Sequence, residues 1–283
     1  MLSVRSFAIL VVVAVAGWLG PFFIRQKLRL SEYSNPSAAV TGMASQALKF
    51  LTVAPRVKHS ATVIFVHGLG DTGAGWQPVA EMLARDPQLQ HVKWVLPHAP
   101  IQPVTANGGM RMPSWFDIYE FGSINAREDE TGMLQTVHSL NQLITAEVDA
   151  GVPANRIVLG GFSQGAGMTL LTGLTNERRL AGLAVLSGWL PLRNKVKAML
   201  SDHAKKLPVF WGHGEDDPIV GFDKATMSLQ FLQQIGIPKV EPEKVLEGGI
   251  EFHAYPDLGH SADPQEIAEL QTFLQKVIPP SNE

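Results

Sequence analysis

The stretch Arg156-Ile157-Val158-Leu159-Gly160-Gly161-Phe162-Ser163-Gln164-Gly165-Ala166-Gly167-Met168 decides the fold. Its first part is a short β-branched run. Its second part opens on small residues and continues through Thr169-Leu170-Leu171 with helical character. The segment therefore reads as strand, sharp turn, helix. A G-x-S-x-G at such a junction is a nucleophile elbow, in which the serine sits on a strained turn with its hydroxyl lifted clear of the sheet. Glycine flanks it because a Cβ there would collide with the neighbouring strand or helix. Taken alone, the pentapeptide is equally a glycine-rich turn with a surface serine, so its surroundings have to decide.

Upstream, Thr62-Val63-Ile64-Phe65-Val66-His67 is apolar without alternation, as expected of a strand buried on both faces of a parallel sheet. It runs into Gly68-Leu69-Gly70-Asp71-Thr72-Gly73, which has the spacing of a dinucleotide fingerprint. That fingerprint needs an acidic residue at the tip of the next strand. The next strand, Val92-Lys93-Trp94-Val95-Leu96, ends instead in Pro97-His98-Ala99-Pro100. An oxyanion loop fits better, its glycines letting backbone N–H groups turn toward a developing negative charge. A helix is expected from about Trp76 to Arg85 with Val79, Met82 and Leu83 inward. Ile101 to Phe121 reads as a long loop over the site, its Trp115-Phe116 pair either shaping an apolar substrate groove or pinning a surface loop through a buried tryptophan. Glu130 to Ala150 is the clearest helix, with Met133, Val137, Leu140, Ile144 and Val148 along one stripe.

Beyond the elbow, strands are expected at Leu183-Ala184-Val185-Leu186-Ser187, Pro208-Val209-Phe210-Trp211 and Glu251-Phe252-His253-Ala254-Tyr255. Trp189, just past the first of them, is placed either to face the crevice at the carboxyl ends of the strands, where open α/β sheets bind ligands, or to fill ordinary core. Asp263-Pro264-Gln265-Glu266 reads as a capping box opening a final helix that buries Ile267, Leu270, Leu274 and Val277. The sum is an α/β-hydrolase fold, a mostly parallel central sheet with helices on both faces.

The chain has 283 residues, 45% hydrophobic and 17% charged, with a net charge of −3 and no cysteine. One substantial core fits that length. The charge balance provides no basic field for nucleic acid, and the lack of cysteine excludes a thiolate nucleophile, a disulfide framework and a cysteine metal site. Residues 1–30 differ in kind, residues 31–50 read as a linker, and residues 51–283 as the catalytic domain. The run 7–24 carries no charge, with Arg5 before it and Arg25, Lys27 and Arg29 after it. Three readings stand side by side. As a membrane anchor, the flanking cations would hold the domain on the cytosolic face. As a signal peptide, Ala14-Val15-Ala16 is a cleavage site. As a dispensable leader, it would be replaced by a start at Met43.

A serine needs a base within hydrogen-bond reach, and the base needs a third group to fix its tautomer. In this fold the order is serine, acid, histidine, each on a loop after a strand. Ser163 and His260 fill the outer places, and the acid lies in Glu215-Asp216-Asp217. Asp217 is favoured because Pro218 fixes the backbone after it and Ile219-Val220 can anchor the loop. The other histidines precede the elbow, precede the acid, or lie within a strand or a polar helical stretch. No metal-ligand spacing is present, and no cofactor is implied.

Six runs, His67-Gly68-Leu69-Gly70-Asp71-Thr72-Gly73, Pro97-His98-Ala99-Pro100, Met112-Pro113-Ser114-Trp115-Phe116-Asp117, Gly161-Phe162-Ser163-Gln164-Gly165, Trp189-Leu190-Pro191 and His213-Gly214-Glu215-Asp216-Asp217-Pro218, together resemble the acyl-protein thioesterase family of lysophospholipase-like carboxylesterases. The resemblance spans about Thr62 to Ile278. It implies hydrolysis of palmitoyl thioesters on S-acylated proteins such as small GTPases and G-protein α subunits, with lysophospholipids and short esters as further substrates. It matches Ser163, Asp217 and His260 to the family's triad and the backbone N–H groups of Leu69 and Gln164 to its oxyanion hole. Glu215 stands where the family usually has Asp. Family members are mostly cytosolic and nuclear, and the hydrophobic N-terminus is not typical of them. The sequence leaves two rivals: an ester or lysophospholipid hydrolase with the same machinery, and a non-catalytic binding protein on a hydrolase fold.

Overall fold

The computed structural model describes residues 47–122 and 126–281. The uncharged run 7–24 and the linker up to residue 46 lie outside the described residues, and so does the choice between anchor, signal peptide and leader. Among the described residues no helix is long and apolar enough to cross a membrane.

In chain order, β1 (Phe50–Val53) and β2 (Ala61–Val66) precede α1 (Gly73–Leu83), β3 (Val92–Pro97) and a hairpin of β4 (Ile101–Val104) and β5 (Met110–Pro113). Then come α2 (Glu130–Asp149), β6 (Ile157–Phe162), α3 (Gln164–Thr175), β7 (Gly182–Leu186) and α4 (Arg193–Met199). The chain closes with β8 (Pro208–Gly214), α5 (Phe222–Gln234), β9 (Gly249–Tyr255) and α6 (Pro264–Val277). Seven strands form one sheet in the order β1-β3-β2-β6-β7-β8-β9. β1 lies antiparallel on β3, and every other neighbouring pair in that sheet is parallel.

The uninterrupted apolar runs are explained by layers on both faces. Val63 and Phe65 of β2 pack among Trp76, Val79 and Leu83 of α1 and near Leu270 and Phe273 of α6. The alternate residues Ile64 and Val66 enter the opposite layer with Met133, Leu140, Leu170 and Leu229. Each such side chain, fully buried, contributes roughly 1.5–3 kcal/mol of transfer free energy. The strand order reverses between β2 and β6, so the carboxyl ends of these two strands open a crevice at the elbow.

Three readings of the sequence are corrected. Met82 is 37% exposed whereas Leu83 is 1% exposed, because α1 begins at Gly73 and its inward stripe runs Trp76, Val79, Ala80, Leu83. Phe50, assigned to the linker, already belongs to the sheet and faces Pro97 across β1 and β3. That edge strand is short and alternates between exposed and half-buried, so it lacks the continuous apolar signature of its neighbours. Ile101 to Pro113 is a hairpin whose turn carries Gly108 and Gly109 at φ of 65° and 79°, and Pro103 and Pro113 had hidden its strands.

The start of α6 is capped on one side. Asp263 accepts from the Glu266 N–H at 2.8 Å, with Pro264 opening the helix. Glu266 does not return the bond. Its side chain is fully buried against β8, so close that a Cβ on Gly212 would lie 2.2 Å from Oε1, and neither carboxyl oxygen has a hydrogen-bond partner among the described residues. Burial pushes Glu266 well above the ordinary carboxylate range, and the Asp263 and Glu269 carboxylates add to this. The folded state therefore keeps a proton that the unfolded chain releases, and stability falls as pH rises above the unfolded pKa. Each unit in that window costs about 1.4 kcal/mol. Glu266→Gln removes this dependence. The difference in unfolding free energy between variant and parent should shift in the variant's favour by about 1–3 kcal/mol from pH 5 to pH 8, read by denaturant titration. Parallel pH profiles would contradict the assignment.

Candidate active site

The elbow has the geometry its sequence calls for. Ser163 sits at φ 55° and ψ −118°, a region costly for any residue with a Cβ, and the Ser163 N–H donates to the Leu186 carbonyl at 2.9 Å. A Cβ on Gly165 would stand 2.1 Å from the Val66 carbonyl oxygen, and one on Gly161 would stand 2.6 Å from the backbone of Gly165. Glycine at both positions lets α3 press against β2 directly.

His260 follows β9 and reaches over the elbow, its ring 4.8 Å from that of Phe162. Its Nε2 lies 2.8 Å from Ser163 Oγ, and its Nδ1 lies 2.7 Å from Asp217 Oδ2. The Asp217 side chain is fully buried. Its other oxygen accepts from the Ile219 and Val220 N–H groups at 2.9 and 2.8 Å, so the loop after β8 wraps the carboxylate. Burial by itself would raise the Asp217 carboxyl. The hydrogen bond and charge of His260, with the Val220 and Ile219 N–H groups, outweigh burial and hold it below the ordinary value. An ionised Asp217 keeps the proton on Nδ1 and leaves Nε2 free to accept from the serine hydroxyl.

The acidic run therefore resolves by geometry: Asp217 is buried at the histidine, while Glu215 and Asp216 are exposed and turn their N–H groups to the carbonyls of Tyr255 and Leu258. His213 is also buried, its Nε2 donating to the Val220 carbonyl at 2.8 Å and standing 3.6 Å from Asp217 Oδ2. Burial lowers its basicity, so it serves this loop as a neutral strut.

Gln164 directly follows the nucleophile, and Leu69 lies in the loop after β2. Gln164 is the first residue of α3, where an N–H has no intrahelical acceptor and the helix end favours negative charge. A Cβ on Gly68 would come 3.4 Å from Ser163 Cβ, so the Gly68–Leu69 peptide adjoins the serine. His67, fully buried, donates from Nδ1 to the Gly68 carbonyl at 2.7 Å and accepts the Ala99 N–H on Nε2 at 3.1 Å. Burial holds the imidazole below its ordinary value, against the raising effect of the Gly68 bond, which suits a ring that must accept on one side.

Trp115 is not on a groove wall. It is 1% exposed and its indole N–H donates to the His67 carbonyl at 2.8 Å, so the structure moves it from substrate contact into the scaffold. The sequence shows an aromatic pair in an irregular stretch but not which way the rings turn. Trp189, 8% exposed, packs edge-on against Phe116, with the Lys224 ammonium 4.4 Å over its ring. The side chain of Gln164 was missed altogether. It is buried and bonds the backbone of Trp115 and Phe116, a role with no signal in a motif whose glutamine is read for its N–H alone.

A serine hydroxyl bonded to a histidine that is itself bonded to a buried carboxylate can attack a carbonyl carbon. The phospholipase/carboxylesterase family profile matches residues 48–278. The chain is 49% identical over 236 residues to acyl-protein thioesterase 1 of Cryptococcus neoformans, covering 82% of this chain and 98% of the relative. It is 47% identical over 243 residues to acyl-protein thioesterase 1 of Mycosarcoma maydis, with the same coverage, 82% and 98%. The crystal structure of Zea mays acyl-protein thioesterase 2 superposes with a TM-score of 0.69 at 28% identity, covering 81% of this chain and 99% of that one.

Proposed function

Because the chain belongs to the phospholipase/carboxylesterase family, we propose that it is an acyl-protein thioesterase, a serine hydrolase that removes S-acyl groups from cysteines of proteins through an acyl-enzyme on Ser163. The observation that carries the chemistry is the relay from Ser163 Oγ to His260 Nε2 and from His260 Nδ1 to Asp217, at 2.8 and 2.7 Å. The substrate class is supported by the identity of nearly half the aligned positions to a relative bearing that name.

In this mechanism His260 Nε2 takes the Ser163 proton as Oγ bonds to the thioester carbonyl carbon. The carbonyl electron pair moves onto oxygen, which is held between the Leu69 and Gln164 N–H groups. The pair returns, the carbon–sulfur bond breaks, and the cysteine sulfur takes the proton from His260, leaving as thiol and freeing Nε2. Water then gives a proton to Nε2 and attacks the acyl carbonyl. Ser163 leaves with that proton, and the fatty acid is released. Losing one oxyanion donor in such a site costs about 10²–10³ in turnover.

Trp189, at the end of β7 beside the crevice, is the proposed contact for the acyl chain. The domain is proposed to work at the cytosolic face of a membrane, with the run 7–24 as the means of attachment and residues 51–283 as the catalytic unit. The second reading, hydrolysis of lysophospholipids or carboxylic esters, is favoured by the family's description, since triad and donors serve ester and thioester alike. Initial rates on a palmitoyl-cysteine peptide and on lysophosphatidylcholine, under matched conditions, separate the two. The thioester should be cleaved at least about tenfold faster in kcat/KM, because thiolate is the better leaving group and needs less help from the general acid. A faster lipid reaction would overturn the substrate assignment, and no reaction with either would overturn the enzyme assignment.

A further inference from the structure

Trp115 links the two halves of the oxyanion site. Its three polar groups go to three different elements. The backbone N–H donates to Gln164 Oε1 at 2.9 Å, at the start of α3. The carbonyl accepts from Thr136 Oγ1 of α2. The indole Nε1–H donates to the His67 carbonyl at 2.8 Å, at the end of β2. Gln164 makes its side of the link double, because its Nε2 also donates to the Phe116 carbonyl at 2.8 Å and the Ser114 hydroxyl at 3.0 Å. On the other side the indole lies 5.0 Å from the His67 ring, centroid to centroid, and that ring holds the Gly68 carbonyl.

These bonds form a continuous path between the proposed donors. It runs from the Gln164 side chain through the Trp115 backbone and indole to the His67 carbonyl, then through the imidazole to the Gly68 carbonyl. In a trans peptide the N–H points opposite to the C=O. With the Gly68 carbonyl held by His67 Nδ1 and by the Asp71 N–H at 3.3 Å, the Leu69 N–H is turned away from the imidazole. The direction of one donor and the placement of the other are thus tied to the same residue, the first through its indole and the second through its backbone N–H.

We infer that Trp115 is a positioning residue that braces the two oxyanion donors at a fixed separation, acting through Gln164 on one side and His67 on the other. The inference rests on the proposed hydrolytic chemistry and deepens it. Preorganised donors stabilise a developing charge because they need no reorganisation during the reaction. Loosening the brace costs rate without costing ground-state binding, since misplacement by about 1 Å is worth about a hundredfold.

Trp115→Phe keeps an aromatic ring and deletes the indole N–H. Steady-state kinetics on p-nitrophenyl esters of increasing acyl length should show kcat lowered by about ten- to a hundredfold on every ester, with KM changed by less than about twofold. The inhibition constant of a short trifluoromethyl ketone, whose serine adduct carries an oxyanion, should rise by the same factor. If Trp115→Phe does not fold, judged by near-UV circular dichroism, benzothienylalanine at position 115 keeps the shape of tryptophan and removes only the N–H. It should give the same signature. An unchanged kcat, an unchanged ketone affinity, or a KM that climbs with acyl length would overturn the brace, the last by returning Trp115 to a groove wall. Failure of the hydrolase reading shows separately, as a parent protein that turns over none of the esters.

Discussion

Asp217→Asn should lower kcat by about 10⁴ while leaving the fold intact. The carboxylate does two separable things. One oxygen accepts from the Ile219 and Val220 N–H groups, and an asparagine carbonyl can take over that role. The other faces His260 Nδ1 at 2.7 Å, and there an amide NH₂ donates where the carboxylate accepted. The imidazole then moves its proton to Nε2, the atom that has to take the serine proton, and it also loses the charge that stabilised the imidazolium. The measurement is kcat on a soluble ester together with the melting temperature. The acid limb of stability should change as well. A carboxyl held below its ordinary pKa stabilises the parent above the unfolded pKa, and this is lost as pH falls through the folded pKa, so the variant's profile should be flatter in that range. A loss of activity smaller than about tenfold would mean that Asp217 does not set the tautomer.

Ser163→Ala should have the largest effect, a fall in turnover of about 10⁵–10⁶ with labelling by a serine-directed fluorophosphonate abolished. The fold should survive because the elbow is held by bonds that do not involve the hydroxyl. The Ser163 N–H still reaches the Leu186 carbonyl, the Ser163 carbonyl still accepts from the Gly167 N–H, and alanine faces the same φ of 55°. Its melting temperature should match the parent's within about 2 °C, since the serine is 8% exposed and, among the described residues, its hydroxyl bonds His260 alone. Persistent labelling would place the nucleophile elsewhere.

Much of this site is legible in the sequence because its parts are local. An elbow needs glycines at fixed offsets from its serine, and a doubly buried strand needs an unbroken apolar run. Both show in Ile157 to Gly165 and in Thr62 to Val66. The acid can be narrowed to three adjacent residues, and the backbone then selects one, because the Ile219 and Val220 N–H groups wrap Asp217 and leave Glu215 and Asp216 outside. What the sequence hides is non-local. β1 is short, half-wet and defined by its antiparallel partner β3. Trp115 reads as a groove aromatic until its indole N–H is seen on the His67 carbonyl, 48 positions away along the chain. Glu266 reads as the second half of a capping box, whereas the fold turns its carboxyl into the core beside Gly212. In each case the deciding contact joins residues whose separation no local pattern encodes.

The most direct test of the account is to mix the protein with a palmitoyl-cysteine peptide, quench in acid within the first turnovers, and map any acyl adduct by peptide mass spectrometry. The account expects palmitate esterified to the peptide that carries Ser163, decaying as free palmitate forms, and absent from Ser163→Ala. Hydrolysis of the thioester with no adduct on Ser163, or an adduct on another residue, would contradict it.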